Sequence, residues 1–467
     1  MKNKGVDNFY RLFEMLVPME RCHICDEMEK AYNMLVDHYS GSRIITSSPK
    51  SEINGWKIPP GWKCIKADLK DEYGNIIASK KDHILSVFTY SPSIKLTLSL
   101  DELDSHLFSD PSRPDLICFH FRNQYRHWDP QWGFCIPHKK RLSLSKSTKY
   151  HVDIETKFDY NKNLIQSDYN HQGKSSKTFL LVGHFDHPGQ ANDGLAGCIA
   201  AYEIIKRLKD KSTYYSYRSF ASVEIVGSIY YLDASKKEGI EFEEALFLGF
   251  SAIDSPLIYQ TSYKGNSYMD RIIKYLFEIK NSSKIYNHRE LIGNDENVYD
   301  SVGYNIPTGT LMRWPFNQYH TNNDSLDNSR EENIEYTINF VLEIINIIET
   351  DYYVCALFQG LPCLANPEID LYLSLDNISG VSDTKNADTT KTGFQLSIKD
   401  ISYIKQNDSN LYELMQNVIR MADGNSTVLD IAEKVKLPYG IVYKYILALK
   451  EKGLVELKRN KHSGDKK

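Results

Sequence analysis

The run Thr178–Leu208, TFLLVGHFDHPGQANDGLAGCIAAYEIIKRL, constrains this chain more than any other stretch. Phe179–Val182 is too short and too apolar for an amphipathic helix and predicts a strand buried on both faces. Leu195, Cys198, Ile199, Tyr202, Ile205 and Leu208 recur at a helical period. Between strand and helix lies a loop holding His184, Asp186, His187 and Asp193. A buried strand feeding a helix is the repeating unit of an α/β sheet, and such sheets place ligand sites where strands give way to helices. Imidazoles and carboxylates a few residues apart also suit a borderline cation such as zinc. One His-x-Asp pair alone would read as a helix-capping loop. Four such groups so close together point to a metal.

Two distant segments extend the constellation. Phe220–Ser228, FASVEIVGS, reads as a strand ending in Glu224 with a glycine soon after. Gln318–Asn328, QYHTNNDSLDN, puts His320 just ahead of a long helix whose apolar residues recur from Ile334 to Ile348. GHFD at 183–186, NDGLAG at 192–197, EIVG at 224–227 and YHTNNDSLDN at 319–328 resemble the H-x-D, D-x-x-S-G, E-E-x-G and H-T-x-x-D motifs of zinc aminopeptidases, in the same order. HPGQAND (187–193), EIVGSIYYL (224–232) and NIPTGTLMR (305–313) are similar to segments of a bacterial aminopeptidase-like family. That family carries an inserted domain of unknown function and a C-terminal winged helix, and the likeness runs from Phe9 to Leu457.

The resemblance implies an α/β fold: a zinc aminopeptidase-like mixed sheet flanked by helices, with a β-rich inserted domain and a C-terminal winged-helix domain. It also implies roles. Either His184 or His187 binds one metal ion, Asp193 bridges to a second, and His320 ligates from the far loop. Asp254, in FSAIDSP, is the candidate for a remaining carboxylate ligand. Asp186 would orient the His184 imidazole, and Glu224 would be the general base. Asp295, Arg313 and Tyr319 are the candidate substrate contacts, with Arg313 gripping a carboxylate or phosphate or making a surface ion pair. Tyr319 and Trp132 line a cleft or belong to the core.

Two positions depart from the pattern. Ile225 stands where the aminopeptidases have a second glutamate, and isoleucine cannot bind a metal, so one tight zinc is expected and a second only weakly. A D-E-R-Q segment of the closer family reads Asp295-Glu296-Asn297-Val298 here, which replaces its arginine by Asn297. The function implied is a zinc-dependent hydrolase of amide bonds acting on a small peptide-like or acylated substrate, linked to surface-polysaccharide or other specialised biosynthesis. The competing reading is a catalytically inactive peptidase fold serving as a binding or regulatory scaffold, DNA-associated through the winged helix. A nucleotide-binding Rossmann protein is excluded for want of G-x-G-x-x-G after a strand.

Composition is that of an ordinary soluble protein: 467 residues, 41% apolar, 25% charged, with a formal charge of −5. Eight scattered cysteines make a poor disulfide framework and suit a reduced, cytoplasmic setting. Cys22-His-Ile-Cys25 reads as a helix start with two thiols, since no second Cys or His pair follows at zinc-knuckle spacing. No apolar run is long enough to span a membrane, and the start has no signal-peptide pattern.

Patterning divides the chain into a helical part over 1–50, a β-rich insert over 51–148 and the α/β domain over 149–378. Residues 149–169 predict an edge hairpin of the main sheet. A polar link follows over 379–393, then the winged-helix module over 400–467. From Gly424 onward there are nine lysines and one arginine against five acids. The helix expected to read DNA offers only Lys444 and Lys450, without Arg, Asn or Gln for bidentate contacts. Sequence-specific DNA binding is therefore not expected, and docking or homo-oligomerisation is.

Overall fold

A computed structural model describes residues 8–281, 284–373, 396–406 and 411–459; the polar link at 379–393 lies outside the described residues. The chain forms two compact units, Met1–Asp270 with Ser283–Val341, and Arg271–Ser282 with Leu342–Lys467.

The first unit is built on an eight-stranded mixed sheet. Its order is Arg43–Ser47, Leu164–His171, Ser216–Ser222, Thr178–His184, Phe242–Gly249, Thr308–Arg313, Leu257–Gln260 and Ile285–Tyr286. The four strands from Ser216–Ser222 to Thr308–Arg313 run parallel. Thr178–His184 sits in their midst and is buried at every position, as expected for a strand covered on both faces. Helices Gly197–Leu208 and Val226–Lys237 follow two of these strands. Leu180, Val182, Phe220, Tyr231, Leu232 and Phe247 pack into one core cluster. The α/β mixed sheet flanked by helices is the fold expected from the sequence.

Three elements differ in detail from that expectation. The strand Tyr150–Asp159 is not an edge hairpin of the main sheet. It pairs with Gly61–Asp71 on one side and Ile94–Leu98 on the other, in the four-stranded antiparallel sheet of the insert. Its alternating buried and exposed residues fit a sheet with one wet face, and the chain re-enters the main sheet only at Leu164. The helical start contributes a strand, since Arg43–Ser47 forms the edge of the main sheet beside Leu164–His171. Finally, the strand before Glu224 stops at Ser222; Val223–Ile225 form a turn, and IVGSIYYL is the start of a helix.

The second unit contains helices Leu411–Met421, Val428–Val435 and Tyr439–Glu451. Its three-stranded antiparallel sheet joins Asp423–Thr427 and Val455–Arg459 to Tyr352–Ala356, so this unit begins well before residue 400. Thr427 and Asp430 close a capping box at the start of the second helix. Arg271 pairs with Asp430 and Glu433, and the Tyr275 hydroxyl donates to Leu437 O. In the third helix Lys444 is paired with Asp400, at 2.7 Å. Among the described residues, no helix is long and apolar enough to cross a membrane.

Candidate metal centre

The central strand delivers His184 at its end, and two glycines let the next helix come close. A Cβ on Gly183 would lie 2.5 Å from Cys198 N, and one on Gly197 would overlap Leu248 O. The turn Asn192–Ala196 is kinked: Asp193 leaves the helical region, and Gly194 takes φ +88°, a conformation that costs glycine least. The buried Asp324 carboxylate holds the turn by accepting N–H groups from Asn192 (2.8 Å) and Asp193 (2.9 Å). Asn192 Oδ1 in turn accepts the Ala252 N–H at 2.9 Å.

Three imidazoles converge on Asp193. His184 Nε2 is 3.2 Å from Oδ1, while His320 Nε2 at 2.7 Å and His187 Nε2 at 3.9 Å face Oδ2. His187 and His320 both adopt positive φ, 74° and 53°, which an imidazole-bearing residue tolerates only where the surroundings impose it. Tyr319 stacks on the His320 ring, with centroids 3.9 Å apart. His184, His187 and Asp193 are all buried, and one ligand atom from each lies within 4.8 Å of the others.

A carboxylate stands behind each of two imidazoles. Asp186 Oδ1 is 3.6 Å from His187 Nδ1, and Asp295 Oδ2 is 3.4 Å from His184 Nδ1. Both also brace the turn that holds Glu224. Asp186 Oδ1 accepts the Glu224 N–H at 3.1 Å, and Asp295 Oδ1 accepts the Ile225 N–H at 2.7 Å. Ile225 sits at φ 57°, and its side chain packs against the core cluster rather than toward the imidazoles. Glu224 is half-buried. Burial pushes its carboxyl up to about 8; His184 opposes the shift, and Asp295 and Asp186 add to it.

This donor set fits a cation. Asp186, Asp193, Asp295, Glu224 and Asp324 gather in one place, and a buried guanidinium beside them, Arg21, is spent on backbone carbonyls. Asp193 Oδ2 and His187 Nδ1 are buried without an aligned hydrogen bond, despite the short His320–Asp193 approach. Burial opposes a charge on His184, but Asp193 and Asp295 raise its pKa well above the ordinary imidazole value, as a site short of positive charge would. Burial pushes His187 down to about 4, keeping it in the neutral form that ligates metal. Nitrogen and oxygen donors at these separations suit zinc.

Several residues sit elsewhere than the sequence reading put them. Asp186 does not orient His184; one residue along, His187 turns toward it instead, and Asp295 takes the place behind His184. Asp295 is thus engaged by the Ile225 N–H and His184. Asp254 is exposed in the loop after Phe242–Gly249 and is no part of the donor cluster, because the chain buries Ser251–Ile253 and turns Asp254 outward. Arg313 is a brace and not a clamp: its guanidinium donates to Ser255 O (2.8 Å) and Asn333 O (3.2 Å). Trp132 stacks on His106, with centroids 3.6 Å apart. Of the substrate candidates, Asp295 and Tyr319 lie beside the centre.

Four contributors have no signal in the sequence. Arg21 ties the metal loop to the N-terminal helices by donating to Phe185 O (3.0 Å), His187 O (3.2 Å) and Gln190 O (2.6 Å). His23 Nε2 approaches Asp186 Oδ2 at 3.1 Å, both groups being buried. Phe119 and Tyr125, from the insert, face the imidazoles and Glu224. Each acts across a sequence distance that no local pattern encodes.

Comparison with known proteins identifies the family and the fold. Residues 10–351 match the family described as a domain of unknown function, DUF4910, and the chain belongs to that family. A Clostridium acetobutylicum protein named for polysaccharide biosynthesis and an aminopeptidase-like domain is 26% identical over 347 residues, which cover 73% of this chain and 78% of that one. A crystal structure of a candidate peptidase from Clostridium acetobutylicum superposes with a TM-score of 0.79 at 23% identity, covering 96% of each chain. The zinc aminopeptidase BSAP from Bacillus subtilis superposes with a TM-score of 0.51 at 15% identity, over 71% of this chain and 92% of its own. A peptidase M28 precursor from Shewanella amazonensis gives 0.52 at 10% identity, over 73% and 92%. The fold is that of zinc peptidases.

Proposed function

From its place in the DUF4910 family, we propose that this protein is a zinc-dependent hydrolase of amide bonds. His184 or His187, with Asp193 and His320, would hold the metal and leave a position open for water, and Glu224 would be the general base. The observation that carries this reading is a shared brace: Asp186 backs the His187 imidazole and also accepts the Glu224 N–H, which ties base and ligand to one carboxylate. A structural protein has no need of that link. Zinc, when bound, supplies Lewis-acid polarisation of a carbonyl and an acidified water. Glu224 takes the proton of the attacking water and returns it to the leaving amine. Asp295 would orient His184 through its hydrogen bond, and Asp186 would face His187 as a neighbouring charge. With Ile225 packed in the core and Asp254 exposed, two carboxylates that a second ion would use are absent, which favours one tight zinc.

The relative's name motivates the substrate class: an acylated or aminoacylated sugar intermediate, handled by a cytoplasmic enzyme. The winged-helix module, basic from Gly424 onward, would serve docking or homo-oligomerisation. The test is zinc analysis of wild type and Glu224→Gln, with hydrolysis measured on aminoacyl 4-nitroanilides and on N-acylated amino sugars. Glu224→Gln should keep its zinc and lose activity by roughly 10²–10⁴-fold. The missing carboxylates also favour a second reading, an inactive fold used as a scaffold; it predicts protein that takes up no zinc under any loading, and that result would replace the enzyme reading.

A further inference from the structure

The insert reaches into the centre. Its segment from Arg113 to Tyr125 lies along the loop that carries His320. Phe119 donates its N–H to His320 O at 2.8 Å, and Ile117 N–H donates to Asn322 Oδ1 at 2.8 Å. Asn322 N–H returns to Ile117 O at 3.0 Å, and Cys118 bridges to Thr321. The Phe119 ring stands edge-on to His187 and His320, 5.6 and 5.5 Å between centroids, and Phe121 stands 5.1 Å from His320. This ladder ends in the short helix Arg122–Tyr125, which Asn123 pins by donating to Thr89 O and Gln131 O. The Tyr125 ring packs 5.5 Å from His23, and its hydroxyl donates to Glu224 Oε2 at 2.5 Å.

We propose that Tyr125 is a positioning residue for Glu224, so that the inserted domain supplies part of the catalytic apparatus. Its O–H fixes one carboxylate oxygen and leaves Oε1 to exchange the proton. The inference rests on the role given to Glu224 above. Glu224 is braced at its backbone by Asp186, and among the described residues its side chain hydrogen-bonds to Tyr125 alone. A short hydrogen bond to a carboxylate is charge-assisted and favours the ionised form. The other ionisable groups that face Glu224 are His184, which also favours its charge, and Asp295, Asp186 and Tyr319, which oppose or share it. Without the phenol, the carboxyl would therefore hold its proton to higher pH and rotate freely.

The experiment uses full-length protein with glutamate labelled at the side-chain carboxyl carbon with carbon-13. Comparison with Glu224→Gln identifies the Glu224 resonance, and its titration is followed in wild type and Tyr125→Phe, metal-free and zinc-loaded. Tyr125→Phe keeps the ring against His23 and removes the donor. Its Glu224 midpoint should rise by about one pH unit, with thermal midpoint and zinc content as in wild type. Replacing Tyr125 by 3-fluorotyrosine keeps the hydroxyl and makes it a stronger donor, so the midpoint should fall. This second variant decides the matter should Tyr125→Phe fold poorly. An unmoved midpoint in either variant overturns the inference. Failure of the hydrolase reading would show separately, as a Glu224→Gln protein that hydrolyses normally or a wild type that takes up no zinc.

Discussion

Gly194→Ala should damage the metal centre out of proportion to its size. Two terms add. The residue sits at φ +88°, where an L side chain costs roughly 1–2 kcal/mol. A Cβ there would also overlap the His184 ring and lie 2.5 Å from the His184 carbonyl oxygen. Overpacking of this kind costs typically 1–3 kcal/mol, for a sum of roughly 2–5 kcal/mol. The carbonyl ends a strand still paired with Ser222 and has less room to move than the side chain, so the imidazole yields first. Moving it withdraws Nε2 from Asp193, and zinc affinity should fall by roughly 10–100-fold, the loss usual when a ligand's support fails. Gly239→Ala is the control, because Gly239 has φ +73° and nothing within 4 Å of its Cβ position, leaving the backbone term alone. Urea denaturation gives the stability, and competition with a chromophoric chelator gives the affinity. A Gly194→Ala protein that matched Gly239→Ala in both would refute the steric argument and remove His184 from the centre.

Other outcomes follow from single contacts. His320→Ala should lower zinc occupancy on dialysis, while His151→Ala, an exposed histidine of the insert sheet, should leave it unchanged. Asp324→Asn sets an amide N–H against one of the two backbone N–H groups the carboxylate now satisfies, which should cost roughly 1–3 kcal/mol in urea. Glu244 should make stability depend on pH. Burial raises its folded pKa to about 7, above its unfolded value of 4.5, so the folded state holds the proton through that window. Its contribution is present below pH 4.5 and is lost as pH rises toward 7, by on the order of 3 kcal/mol. Denaturation of wild type and Glu244→Gln across this range should show the wild type losing more stability with rising pH; parallel profiles would refute the assignment.

What the sequence disclosed depended on the range over which its information acts. The strand Thr178–His184 and the helix Gly197–Leu208 were legible because burial on both faces and a 3.6-residue period are local patterns. The grouping of His184, His187, Asp193 and His320 was legible because few residue types can offer a metal an imidazole or a carboxylate. Glu224 was found in the right place on the wrong element: an apolar run at a strand's end looks the same when it opens a buried helix. Tyr150–Asp159 has a clear strand pattern, but which of two sheets it joins is settled by pairing with Gly61–Asp71, and alternation carries no information about partners.

The supports of the centre were illegible for a sharper reason. A carboxylate behind an imidazole needs to be there only in space. His187 has Asp186 one residue away, whereas His184 draws Asp295 from 111 residues along the chain. The motif H-x-D invites the pairing of His184 with Asp186, yet a strand sends alternate side chains to opposite faces only while it remains a strand, and this one ends at His184. Beyond that point the positive φ of His187 reverses the loop and brings its imidazole onto Asp186. The same displacement explains how Ile225 is tolerated. Where zinc aminopeptidases show a second glutamate, this chain spends the position on the core and on an N–H to Asp295, and a third imidazole faces Asp193 instead. Imidazoles grouped around one aspartate carry less negative charge than a set with an added glutamate, so a zinc held there would keep more net positive charge and would acidify a coordinated water more strongly.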